Sequence, residues 1–136
     1  MAASEIVRNP AHLGLGATTE IEPTFTGSPD WYAAYEARHA VDGVEGRLVS
    51  MFTFDRSWDS WEVHPNGSEL VLCAAGEITL IQEKADGTTN RVTLLPGQYA
   101  VNEPGTWHTA DVAASATAVF ITAGAGTQIR PRQPGR

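Results

Sequence analysis

From Gly46 to Ala123 the chain alternates apolar and polar residues in short runs, with Gly, Pro, Asn or Asp at most of the breaks. A period of two sends successive side chains to opposite faces of a strand. The pattern predicts strands over 47–54, 60–65, 69–75, 77–83, 90–95, 98–102, 107–113 and 116–122. Asp86-Gly87, between "ITLIQE" and "NRVTLL", is a hairpin signal, and Pro65-Asn66-Gly67 and Leu95-Pro96-Gly97 read as turns. Many short strands with turn residues between them imply an all-β sandwich or barrel.

Three segments depart from that period. "SPDWYAAYEARH" predicts the only helix: Ser28 can cap it, Pro29 takes the first turn, and Asp30 favours the positive end of the dipole. Trp31 and Tyr35, four apart, share a face that is expected to pack on the barrel. "TTEIEPTF" predicts an edge strand, because Pro23 is tolerated only at an edge or a bulge. From Gln128 to Arg136 the chain is rich in Pro and Arg with almost nothing to bury, which predicts a frayed tail. The expected layout is an N-terminal extension with a short helix over 1–45, a barrel over 46–126 and a flexible tail over 127–136.

Composition narrows the function. A chain of 136 residues is about one domain, and 42% hydrophobic residues suffice for a core. Nine Lys and Arg against sixteen Asp and Glu give a net charge of −7, which argues against nucleic acid and anionic membrane surfaces as partners. No apolar run approaches the roughly 18 residues of a membrane span, and the N-terminus lacks a signal-peptide layout. Cys73 is the only cysteine, so no internal disulfide can form, and it reads as a small core residue. These features suit a cytoplasmic location. "GAGTQ" near the C-terminus lacks the context of a nucleotide-binding loop.

The chemistry concentrates in "WEVHPNGSELVLCAAGE" and "NEPGTWHTADV". Strand parity puts Glu62 and His64 on one face, and Glu69 opens the return strand on the face continued by Val71 and Cys73. His108 follows the Pro104-Gly105 turn and begins another strand. Two imidazoles and two carboxylates aimed into an apolar interior are costly unless something pairs them. A divalent metal would do so, His and carboxylate ligands being typical of iron, manganese, nickel or zinc. A hydrogen-bonded polar cluster is the other solution. Glu62 can ligate, take a proton from a substrate, or hydrogen-bond a ring N–H of His64. Two His and two Glu around a divalent ion sum to zero charge, which favours neutral or weakly acidic substrates unless Arg47 or Arg91 lines the pocket. Trp58, Trp61 and Trp107 read as packing and rim residues, and His12 and His39 carry no signal.

The stretch Glu62-x-His64-(four)-Glu69-(six)-Gly76 resembles the first motif of the cupin family, and Gly97 to His108 is similar to the second. Glu62 stands where the family's first His stands, and Pro104 is one place later than the family's Pro. The resemblance implies a double-stranded β-helix, a jelly-roll barrel with one metal site inside. It implies His64, Glu69 and His108 as ligands, with Glu62 as fourth ligand or general base. It also implies a small organic substrate, with a dioxygenase first among oxygenases, isomerases and lyases. The other expectation is a non-catalytic barrel that binds or senses a small molecule. The family's habit further implies a homodimer.

Overall fold

Two antiparallel sheets face each other in a computed structural model that describes residues 1–133. The strands are β1 (Ala11–Gly14), β2 (Thr18–Ile21), β3 (Arg47–Phe54), β4 (Ser60–Val63), β5 (Glu69–Gly76) and β6 (Ile78–Glu83). They continue with β7 (Thr89–Leu94), β8 (Tyr99–Asn102), β9 (His108–Asp111), β10 (Ala116–Thr122) and β11 (Gln128–Pro131). The larger sheet runs β2-β1-β3-β10-β5-β8 and the smaller β11-β4-β9-β6-β7. All pairings are antiparallel. Alternation explains the core: Val71 and Cys73 of β5, Ile78 and Leu80 of β6, and Ala116, Ala118 and Phe120 of β10 all point between the sheets.

Every strand expected between residues 46 and 123 is present within a few residues. The Asp86-Gly87 turn joins β6 to β7, with Asp86 Oδ1 accepting from the Thr88 amide and hydroxyl and Gly87 at φ 85°. Before residue 46, β2 is the expected edge strand and Pro23 lies just past it. β1 is additional: it pairs with β2 and β3 and so joins the N-terminal segment to the larger sheet.

Helix α1 (Pro29–Arg38) begins where its capping residues say. Ser28 Oγ accepts from the Trp31 amide at 3.2 Å. Trp31 is buried, stacks on Tyr35, meets Phe25 edge-on and donates its indole N–H to the Thr24 carbonyl. Phe25 in turn touches Phe52 of β3, and the Tyr35 hydroxyl meets His12 of β1, so these contacts tie the helix to the larger sheet. Trp31→Ala should therefore lower unfolding free energy by about 3 kcal/mol, the usual cost of emptying a buried Trp site. Chemical denaturation checks this, and an unchanged midpoint would show that the helix is only loosely attached.

The expectation of a frayed tail from Gln128 is corrected. Gln128–Pro131 pair residue by residue with β4. Arg130 lies over the rings of Trp61 and Trp107 at 5.2 and 4.5 Å and pairs with Glu83 at 2.6 Å. Arg132 pairs with Asp111 at 2.7 Å. Backbone pairing and arginine–tryptophan contacts hold the segment where apolar burial does not. The last part of the expected tail, 134–136, lies outside the described residues. Among the described residues no helix is long and apolar enough to cross a membrane.

Candidate metal centre

Two cross-strand rows meet across the barrel. On the smaller sheet, Glu62 of β4 pairs with His108 of β9, which pairs with Gln82 of β6. On the larger sheet, Thr122 of β10 pairs with Glu69 of β5, which pairs with Asn102 of β8. Directly paired residues share a face, so both rows project into the space between the sheets. His64 follows β4 with Glu62's parity and arrives at the same place. All four candidate residues are thus brought together.

The distances define the arrangement. Glu69 Oε2 is 3.2 Å from His64 Nε2, and Glu69 Oε1 is 3.2 Å from His108 Nε2. Glu62 Oε2 stands further off, 3.9 Å from His64 Nε2 and 4.0 Å from His108 Nε2. The side chains of His64, His108 and Glu69 are at most 6% exposed, whereas that of Glu62 is 31% exposed and marks the side open to solvent.

The outer nitrogens fix the tautomers. His108 Nδ1 lies 3.1 Å from the Thr106 carbonyl, which only accepts, so Nδ1 carries the hydrogen. Thr127 Oγ1 donates its one hydrogen to the Gly124 carbonyl at 2.7 Å. It must then accept from His64 Nδ1, 2.8 Å away. Both rings therefore turn Nε2 lone pairs inward. Neither Nε2 has a hydrogen-bond partner: the short contacts to Glu69 do not have hydrogen-bond angles. Glu69 is itself aimed by two donors, Asn102 Nδ2 to Oε1 at 3.1 Å and Thr122 Oγ1 to Oε2 at 2.6 Å. Gln82 anchors Asn102 from the opposite sheet at 2.7 Å. The result is a buried set of lone pairs facing one another, an arrangement that could hold a cation.

The same closeness makes a proton and a cation rivals for this space. Burial alone would raise the Glu69 carboxyl, yet the two imidazoles, once they carry a proton toward it, hold it well below the usual carboxylate range. Burial opposes charge on His108, and the Glu69 carboxylate and Thr106 carbonyl overcome that and raise its pKa. Glu62 is raised, first by burial and then by the Glu69 charge. Tyr32 of α1 is also raised, first by burial and then by the Glu62 charge. Arg91 is paired with Asp111 at 2.9 Å, and Arg47 has the outward parity of Val49.

Sequence reasoning missed the groups that aim the ligands: Thr127, Thr122, Asn102 and Gln82. Those in strands follow from parity once the register is known. Thr127 sits in the "GAGTQ" stretch that carries no nucleotide-loop context.

A second cluster joins His12, His39 and Asp42, which sequence left without a role. Its imidazoles are stacked, with centroids 3.6 Å apart and planes 15° from parallel. An ion about 2.0–2.1 Å from one ring nitrogen lies in that ring's plane and cannot also lie in the other's. Each ring nitrogen already faces a partner: His12 meets Tyr35 and Asp42, and His39 meets Glu20 and Glu22. This cluster ties α1 to β1 and β2.

No protein-family model matches the sequence, and a search of curated proteins finds no relative. Solved structures do match. Peruvianin-I, a cysteine peptidase from Thevetia peruviana latex, superposes with a TM-score of 0.54 at 23% identity, over 64% of this chain and 57% of its own. Hydroquinone 1,2-dioxygenase from Sphingomonas sp. TTNP3 gives 0.50 at 16%, over 56% and 59%. A cupin superfamily protein from Desulfitobacterium hafniense gives 0.47 at 19%, over 56% and 65%. The chain thus spans less than two thirds of each. Identities this low speak to fold and not to activity. Cys73, for its part, is fully buried with its thiol pKa raised by that burial, unlike a peptidase nucleophile. The two facing antiparallel sheets, and the neighbours Peruvianin-I and hydroquinone 1,2-dioxygenase that share them, make the fold an all-β jelly-roll barrel.

Proposed function

We propose that His64, Glu69 and His108 hold one divalent transition metal and that the barrel acts on a small organic molecule, with a dioxygenase as the reaction class. The observation that carries this is the pair of buried, unpartnered Nε2 atoms facing the Glu69 carboxylate. Ligands about 2.0–2.2 Å from one ion stand roughly 3–3.5 Å apart at tetrahedral or octahedral angles, and 3.2 Å fits. Two His and one carboxylate with open positions is the set associated with non-haem iron oxygenases, although manganese, nickel and zinc accept the same donors. An ion held there supplies Lewis-acid or one-electron chemistry.

The chain's own residues do the rest. Asn102 and Thr122 fix both carboxylate oxygens of Glu69, so its remaining lone pairs stay aimed inward. The cross-strand placement of His108 keeps water from its inner face. Glu62, further off, half open and raised in pKa, is the group that can exchange a proton with a substrate on the open side. With two carboxylates, and with Arg47 and Arg91 turned elsewhere, the site favours neutral or weakly acidic molecules. The fold of the hydroquinone dioxygenase agrees with this reading without assigning its substrate.

Metal analysis of protein purified without added metal is the first test. One transition metal per chain is expected; none, with an apolar compound carried through purification, would replace the enzyme by a binding or sensing barrel. Glu62→His tests the proton role. Metal affinity should stay within about threefold of the parent, and turnover should fall by about 10²–10⁴. A gain in affinity for metal and for anions would make Glu62 a ligand. A loss of roughly 10–100-fold in metal affinity would make it an orienting partner of His64.

A further inference from the structure

Among the described residues, three buried side-chain nitrogens have no hydrogen-bond partner: His64 Nε2, His108 Nε2 and Trp58 Nε1. The first two are acceptors and belong to the candidate metal centre. The third is a donor, because an indole nitrogen carries a hydrogen and accepts nothing. Nothing in the candidate centre uses it. Buried polar groups in folded proteins nearly always find partners, so an orphan calls for a reason. Trp31 obeys that rule: it is buried, and its indole N–H goes to the Thr24 carbonyl at 3.1 Å.

Trp58 sits in the loop between β3 and β4, with its backbone tied on both sides. Its amide donates to the Ala110 carbonyl at 2.9 Å, and its carbonyl accepts from the Arg132 guanidinium at 3.3 Å. The ring is set against other rings, with centroids 5.6 Å from Phe54, 6.0 Å from Phe120 and 6.4 Å from His108. Phe52 extends this wall through Phe54 and Phe120. A phenylalanine at position 58 would continue the wall and bury no unpaired hydrogen, so packing alone does not account for an indole there. The phenyl rings offer no acceptor oxygen, and the wall begins at the ring of His108.

We propose that Trp58 is a specificity-determining residue whose indole N–H takes an acceptor oxygen of a flat, neutral aromatic molecule bound along the Phe54–Phe120 wall. The inference rests on the reading of the barrel as acting on a small organic molecule, and it names the class. Two features select that class. Phe52, Phe54 and Phe120 offer the offset and edge-on contacts that aromatic rings prefer. A buried donor with no partner rejects molecules that lack an oxygen at the matching place, because they leave it unpaired. Phe52, Phe54 and Trp58 are only partly buried against the core, so a molecule enters from their open side and not through the core.

The test uses acetophenone and α-methylstyrene, which share a shape and differ in having a carbonyl oxygen or a methylene. Affinities are measured on the full chain, with and without bound metal. The parent should prefer acetophenone, and Trp58→Phe should erase about tenfold of that preference, the worth of one hydrogen bond. The ratio is the readout, because packing damage in the variant lowers both affinities together. In the parent, the indole N–H signal of Trp58 should move downfield with acetophenone further than with α-methylstyrene, while that of Trp31 stays with both. Equal preference in parent and variant overturns the proposal. So does a Trp58 signal that responds alike to the two molecules, which would give the N–H to a neighbouring ring face. The metal reading fails separately. A metal-free parent whose Trp58 signal distinguishes the two molecules keeps this proposal and loses the metal; a metal-loaded parent without the preference does the reverse.

Discussion

His108→Ala should empty the metal centre while leaving the barrel folded. His108 contributes one of the two unpartnered lone pairs and is wholly buried on a strand paired on both sides. Removing it leaves His64 and Glu69, too few donors for tight binding, so affinity should fall by more than the roughly 100-fold that loss of an orienting partner costs. The strand pairings of β9 do not involve the imidazole, and the circular dichroism of the variant should match the parent. A pH series sharpens the test. Burial disfavours charge on His108, yet Glu69 and the Thr106 carbonyl pull its pKa up, so proton and metal compete for Nε2. Parent affinity should therefore fall as pH drops through and below neutrality, by about tenfold per unit for each proton displaced. In the alanine variant that part of the slope disappears. Occupancy equal to the parent's would remove His108 from the site.

What could be read from the chain, and what could not, follows from the kind of force involved. The strands from β3 to β10 are written in alternating burial, which period-two reading detects directly. Glu62, His64, Glu69 and His108 were legible for the same reason: parity and turn placement suffice to aim them at one point. β1 was not legible, because "AHLG" offers four residues, ends in glycine and buries a histidine inward instead of an aliphatic side chain. β11 was hidden because Arg130 and Arg132 hold it through ring faces and carboxylates, and no apolar pattern reports that. His12 and His39 looked like ordinary polar residues, since their partners Tyr35, Asp42, Glu20 and Glu22 come from three separate elements.

Thr127→Val should weaken metal binding by about 10–100-fold with little change in stability, making the C-terminal segment part of the site. Thr127 is exposed, so the substitution removes a hydroxyl and buries nothing new. The hydroxyl does two things at once: it gives its hydrogen to the Gly124 carbonyl and accepts the one on His64 Nδ1. Without the acceptor, nothing holds the proton on Nδ1, and the imidazole can place it on Nε2, where it blocks the metal-facing lone pair. Thr127→Ser keeps both bonds and should recover affinity to within about threefold. Competition titration reads the affinity, and imidazole nitrogen shifts of the metal-free protein read the tautomer. The expected shift pattern is Nδ1–H in the parent and in the serine variant, and a mixture in the valine variant. Valine protein with parent affinity and an unchanged His64 tautomer would show that the ring is held by its packing alone and that Thr127 plays no positioning role.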